Sequence, residues 1–455
     1  MPSARMPLTN ALDIDVPIVQ APIGSATVPN SPRRCFSIFS AEEGDFAGAI
    51  RQLSEELRTR MSIVRRWEYR HTVLALCVLA YFGIRFIEFA LSLVFPDIVD
   101  ALGTSILTIG VAVTASTLTY AVAQLPSGAL GDRFGERTVV LGALGLTGIG
   151  GLLMSAAPTG EVVVLGMALV GAVSGAYYSP ATALLTDLFE GPGHGRAIGV
   201  HRIGAQVVGL TGPVVAFVAA AYGWRTVPLL AVAVVLSALV GFRLFVRSRP
   251  PTRPDTSIRE RVRPSNLADL LSRPDLAFTT AVAGFGQFVD TASFSFLPYL
   301  LRAYHGLSAE LAGALFTLYF VAVAVSQPAA GWLADRFGRD AIAIVALGLG
   351  AVGYLSLLPR AMVVTTTIAI VLVGFGMGWS PPVQSRAIDR LPAADRSLGF
   401  GLVRTVYIAL AGLCGIVVGG AVTVGGWASA ISILAIVTLV PTVALGANAT
   451  FDLGL

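Results

Sequence analysis

Twelve uninterrupted apolar runs of about twenty residues set the limits on what this chain can fold into. They fall at roughly 72–95, 104–126, 137–157, 162–186, 197–221, 225–246, 276–301, 309–332, 340–358, 363–385, 397–421 and 427–447. As helices, runs of that length cross a hydrocarbon layer about 30 Å thick. They are continuous rather than alternating, so helices, which satisfy their own backbone, are expected over a barrel. Composition agrees: 55% of the 455 residues are hydrophobic and 13% charged, against about 25% charged in a soluble domain. Every basic residue outside histidine is arginine, and the net charge of +4 arises in the loops, so it does not point to nucleic acid. Cys35, Cys77 and Cys414 stand alone, without metal or redox spacing. The expectation is an all-α membrane protein with no metal and no cofactor.

Arginine placement orients the helices. Arg58, Arg60, Arg65, Arg66 and Arg70 precede the first run. Arg133 and Arg137 follow the second, Arg196 the fourth, eight arginines from Arg243 to Arg273 the sixth, Arg336 and Arg339 the eighth, and Arg386, Arg390 and Arg396 the tenth. The alternate loops hold only Arg225, Arg302 and Arg360. Arginine-rich loops stay in the cytoplasm, so a multi-pass plasma-membrane protein with both termini inside is expected. Residues 1–71 form a cytoplasmic tail, too polar for a signal peptide, with Phe46, Ile50, Leu53 and Leu57 at the spacing of a short amphipathic helix. Its stretch "LTNALDIDVPIVQAPIGSAT" resembles the opening strand of the nitronate monooxygenase family. Nothing after it continues that family's flavin-binding barrel, so no flavin function is credited to it. Met61, just ahead of the first run, would make a natural start.

The chain also copies itself. "QLPSGALGDRFGER" (124–137) returns as "QPAAGWLADRFGRD" (327–340), with Asp132 and Asp335 203 positions apart and Pro96 and Pro298 202 apart. "YYSPATALLTD" (177–187) answers to "GWSPPVQSRAID" (378–389), Arg202 to Arg404 and Trp224 to Trp427. Two six-span bundles, 72–246 and 276–455, joined by a basic linker, 247–275, are what a rocking transporter is built from, with its site at the seam near mid-membrane.

These residues resemble the major facilitator superfamily over positions 72–447. Its signature, G-x-L-A-D-R-x-G-R-R, stands after the second span as Gly128, Asp132, Arg133, Gly135 and Arg137. It recurs as Gly331, Ala334, Asp335, Arg336, Gly338 and Arg339. The resemblance implies alternating access driven by an ion gradient or by substrate alone, and no GxxxxGK[ST] nucleotide loop occurs. Glycines at helix ends allow close approach, Asp132 and Asp335 can interact with a helix N-terminus, and the neighbouring arginines can pair with Asp187 and Asp389. Such contacts act either as a cytoplasmic gate or as fixed topology anchors.

Within the first span, "YFGIRFIEFALSLVFP" (81–96) sets Arg85 and Glu88 where a charge costs roughly 2.5–3.5 kcal/mol. A shift of 202 carries them onto Gln287 and Asp290, again at i, i+3 on one helix face. The resemblance implies that spans 1 and 7 line a central cavity with spans 4, 5, 8, 10 and 11. Glu88 and Asp290 are therefore expected as coupling or substrate-binding acids, unless Glu88 simply neutralises Arg85. Arg85 suits an anion as a bidentate donor. Arg202 and Arg404 either bind substrate or pair with Asp389 and Asp187 as an inner gate. Tyr177, Tyr178, Tyr319, Trp379 and Tyr407 are candidates for the pocket wall or for packing. Three positive and two negative groups tilt the site towards small organic anions. Two features of proton-coupled drug exporters are weak here: their span-4 arginine falls near Met167, and their span-5 glycine-proline series survives only as Gly212-Pro213.

The expected function is a secondary transporter of a small organic solute, an anion favoured, coupled to protons, working as a monomer in the lipid bilayer. The rivals are a drug or metabolite exporter acting by proton antiport, a membrane-tethered flavin enzyme, and a sensor that binds solute without moving it.

Overall fold

The structure, a computed structural model, describes residues 68–189, 193–251, 272–360, 362–391 and 396–455. The flavin-like stretch, the amphipathic segment at 46–57 and most of the basic linker lie outside the described residues. The first bundle contains α1 (Tyr69–Leu102), α2 (Ile106–Phe134), α3 (Glu136–Ser155), α4 (Gly160–Leu188), α5 (Gly193–Val207 and Gly212–Tyr222) and α6 (Thr226–Phe245). The second contains α7 (Pro274–Ala303), α8 (Ala309–Phe337), α9 (Arg339–Leu357) and α10 (Val363–Gly376 and Ser380–Arg390). It ends with α11 (Arg396–Gly412, running on into Cys414–Phe451) and α12 (427–451), divided by the non-helical Gly426. Among the described residues, ten helices are long and apolar enough to cross a membrane, and the 53-residue Gly399–Phe451 holds two spans. Helix α7 is the more polar twelfth, diluted by Gln287, Asp290 and its hydroxyls.

Helix α1 outruns its expected end. Pro96 lies inside it rather than closing it, as membrane helices tolerate when neighbours re-satisfy the freed backbone. Helices α5 and α10 each pass through a short 3-10 turn, Val208–Thr211 and Met377–Trp379, just before Gly212-Pro213 and Ser380-Pro381. There a proline denies the α-ladder its donor.

The duplication seen in the sequence reaches the backbone. Ser105 caps α2 by accepting from the Thr108 amide, and Ser308 caps α8 by accepting from the Leu311 amide. The left-handed glycines Gly103, Gly135 and Gly223 recur, 203 positions on, as Gly306, Gly338 and Gly426. A side chain would be strained in that conformation, so both bundles turn corners on matched residues.

The bundles touch along the face away from the arginine-rich loops. A Cβ on Gly110 of α2 would lie 2.2 Å from the Gly415 carbonyl oxygen of α11, and one on Gly212 of α5 would lie 2.7 Å from the Gly313 oxygen of α8. Only glycine permits backbones to meet so closely. Nearby, Arg302 of α7 donates to both carboxylate oxygens of Asp97 on α1, at 2.6 and 2.8 Å. At the arginine-rich face the ion pairs among the described residues stay within one bundle: Arg249 with Asp187, Arg339 with Asp389, and Arg386 with Asp340.

Candidate functional site

Between the bundles lies a cavity of about 290 Å³. Arg85 and Glu88 line it from α1, and Gln287 and Asp290 line it from α7. The Arg85 guanidinium is ion-paired to the Glu88 carboxylate one turn along its own helix. It also lies 5.1 Å above the ring of Phe294 on α7, so its charge bridges the seam. Ser174 of α4 donates a long hydrogen bond, 3.4 Å, to Glu88. Across the cavity the pattern repeats without a full charge: the Gln287 amide donates to Asp290 at 3.1 Å, and the Tyr319 hydroxyl of α8 donates to it at 3.5 Å.

Arg202 of α5 and Arg404 of α11 line the same cavity nearer its mouth. Sequence reasoning allowed them Asp389 and Asp187 as partners. Those acids are held elsewhere, by Arg339 and Arg249. Neither Arg202 nor Arg404 has a carboxylate within ion-pair distance among the described residues, and the Arg404 guanidinium lies over the Tyr178 ring at 5.7 Å.

Of the five aromatic candidates, Tyr319 and Tyr407 line the cavity and three do not. Tyr177 is fully buried, its hydroxyl donating to the Cys77 carbonyl at 2.9 Å. Having one proton to give, that hydroxyl must accept from Nε2 of His201, 3.2 Å away. Trp379 is buried against α7, where a Cβ on Gly286 would meet its ring at 2.5 Å. Tyr178 stacks on His201 at 5.8 Å and stands behind Arg404.

The signature residues divide among helix ends, ring contacts and one ion pair that the sequence allows, Arg339 with Asp389. Gly135 and Gly338 terminate α2 and α8 with φ of 83° and 92°. Gly128 meets no atom within 4 Å, and Gly331 has only an ordinary contact with Pro381 at 3.7 Å, so neither is a close-approach point in this conformation. Arg133 lies over Phe134 and Arg336 over Trp332. Asp335 is exposed, Asp132 is half-buried, and Arg137 donates to the Arg243 carbonyl. Among the described residues Arg339 pairs with Asp389, as the sequence allows, whereas Asp187 is held by Arg249 rather than by Arg133 or Arg137.

Sequence reasoning missed four features. Tyr81 lines the cavity one turn before Arg85, and Gln206 lines it one turn after Arg202. The i, i+4 spacing from a known polar residue was the available signal. Met167, where exporters would carry arginine, lines the cavity as an apolar group. The Asp97–Arg302 bridge had a fainter signal: a rare arginine on the arginine-poor face and an acid just past Pro96.

Two helical bundles with a cavity between them lined by charged and polar side chains have the build of a membrane transporter. The profile of the Major Facilitator Superfamily matches residues 77–294 and 276–448, and the chain belongs to that family. It is 23% identical over 389 residues to a triacylglyceride transporter of Mycobacteroides abscessus, covering 69% of this chain and 73% of that protein. It is 33% identical over 190 residues to the puromycin resistance protein pur8 of Streptomyces alboniger, covering 41% of this chain and 36% of that one. Among solved structures, the nucleoside transporter NupG superimposes with a TM-score of 0.69 at 12% identity, covering 83% of this chain and 98% of that chain. At such identity the match speaks for the fold alone.

Proposed function

We propose that the protein is a proton-coupled transporter of small organic anions in the plasma membrane, with both termini cytoplasmic. The described conformation is then inward-facing: Asp97 and Arg302 lie on the outer side, and the cavity mouth lies among the arginine-rich loops. Residues 72–246 and 276–455 act as the rocking bodies and 247–275 as the tether, with one monomer as the working unit.

The carrying observation is the Arg85–Glu88 pair, set in the cavity beside two further arginines that lack carboxylate partners among the described residues. While Glu88 is ionised, its carboxylate occupies Arg85. A proton on Glu88 removes that competitor and releases the guanidinium to an anion, so proton and anion each favour the other's binding. The pair leaves or enters together without adding net charge to the site. Asp290, hydrogen-bonded by Gln287 and Tyr319, is the second acid on the opposite body. The cargo names of the relatives, a triacylglyceride and puromycin, are too far apart to choose a substrate.

Proteoliposomes loaded with an organic-acid mixture and given an inward proton gradient test this reading. Glu88→Gln frees Arg85 permanently, so exchange of anion across the membrane should persist while uphill accumulation is lost. Asp290→Asn should also lose accumulation. Unchanged pH-driven uptake in both variants would refute the assignment. Export by proton antiport is the second reading, supported by the similarity to the puromycin resistance protein. Met167 in place of an arginine weighs against it. Added resistance of an expression strain to toxic amphiphiles would favour export over uptake.

A further inference from the structure

The cavity is chemically graded from end to end. At its mouth stand Arg202, Gln206, Gln384 and Arg404. Arg85, Glu88, Gln287 and Asp290 occupy the middle. Beyond them, towards the far face, the wall carries the apolar Phe294, Phe320, Met167 and Phe95, with the hydroxyls of Thr117 and Ser295 among them. On α1 alone, the ten positions from Arg85 to Phe95 span about 15 Å at the helical rise. Aromatic pairs stand at and behind this wall: Phe89 of α1 stacks on Phe316 of α8 at 5.1 Å, and Phe320 meets Phe294 edge-on at 6.0 Å. The Arg85 guanidinium over Phe294 marks the boundary, a cation resting on the first ring of the apolar wall. At about 290 Å³ the cavity sits at the low edge of small-molecule pockets.

A chamber with two cations that lack a carboxylate partner among the described residues at one end, and flat aromatic side chains at the other, matches a ligand built the same way. Resting on the anion reading above, we infer that the substrate is an amphipathic monoanion: one carboxylate joined to a compact aromatic body. The carboxylate lies between Arg404, nearer the mouth, and Arg85 in the middle. The ring lies inward of it, against Phe294 and Phe320. A small aliphatic acid would leave the apolar end to water, and a dianion would place its second charge there. An amphipathic cation would set like charges against Arg202 and Arg404, with Glu88 already engaged by Arg85.

Calorimetric titration of the purified full chain with benzoate, acetate, succinate and benzylamine tests the inference. Benzoate should bind at least tenfold more tightly than acetate or succinate. Phe294→Leu keeps an apolar side chain but removes the ring face, and should erase most of benzoate's advantage while leaving acetate unchanged. Arg404→Gln should weaken benzoate and acetate alike. Equal affinity for benzoate and acetate, or tighter succinate, overturns the aromatic inference and leaves the anion reading standing. Tighter benzylamine than benzoate overturns both. No binding of benzoate overturns the inference as well.

Discussion

The Asp97–Arg302 bridge offers the sharpest perturbation, because among the described residues it is the ion pair that ties α1 of one bundle to α7 of the other at the closed face. Its two hydrogen bonds, 2.6 and 2.8 Å, join the guanidinium to both carboxylate oxygens. Hydrogen bonds to charged groups contribute roughly 1.5–3 kcal/mol. Exposure of 22% for Arg302 and 36% for Asp97 requires a discount for solvent screening. About 1–2 kcal/mol in favour of the closed outer face remains. Arg302→Gln should therefore raise the open-outward population about 5- to 30-fold. The assay is labelling of a cysteine placed at Ser295, on the far wall of the cavity, by a membrane-impermeant maleimide added outside. Arg302→Gln and Asp97→Asn should each speed labelling by that factor, and the double variant should add little to either. The exchanged pair, Asp97→Arg with Arg302→Asp, should slow it again. Additive effects of the two single changes, or labelling unmoved by both, would refute the claim that this bridge holds the outer face shut.

Further expectations follow from the packing. Gly415→Ala places a methyl 2.1 Å from the Gly110 carbonyl oxygen. It should lower thermal stability by about 1–3 kcal/mol and lower transport, as read by melting in detergent and by flux. Gly128→Ala meets nothing within 4 Å and should leave that melting unchanged; a loss of transport without a loss of melting temperature would locate its packing role in the opposite conformation. His305, in the loop after α7, is half-buried among Tyr304 and its neighbours, and burial holds its imidazole below the usual range. The unfolded chain then takes up that proton first, so stability should fall as pH drops below about 6.5. His305→Gln should flatten that part of the melting-temperature profile, and an unchanged acid limb would remove His305 from the explanation.

The fold was legible because its signals are long and redundant. Runs of about twenty apolar residues admit one backbone solution in lipid, and the recurring Asp132 and Asp335 segments announced two copies. The caps were legible in part: a glycine in each signature ends its helix, whereas the matched Gly103 and Gly306 drew no attention. Arg85 and Glu88 were conspicuous as charges in oil, and the offset between two prolines carried them to Gln287 and Asp290. The aromatic wall was harder. An apolar ring on a spanning helix reads alike whether it meets lipid, a neighbouring helix or a cavity, so Tyr177 and Trp379 were placed with Tyr319 while Phe294 and Phe320 were passed over. The bridge of Asp97 to Arg302 depends on how two bundles lean together, which no spacing within one helix encodes.

One asymmetry has a practical reach. On the proposed orientation, the ion pair that couples the bundles among the described residues lies at the outer rim, while the ion pairs at the inner rim stay within each bundle. Electrolyte on the two sides of the membrane should then act unequally. Raising external salt from about 0.15 M to 1 M shortens the screening length from roughly 8 to 3 Å, loosening the rim that Arg302 ties, whereas the same change inside has no comparable clasp to loosen. The direction in which this molecule rests would be set by the ionic strength of its surroundings rather than by that of the cell.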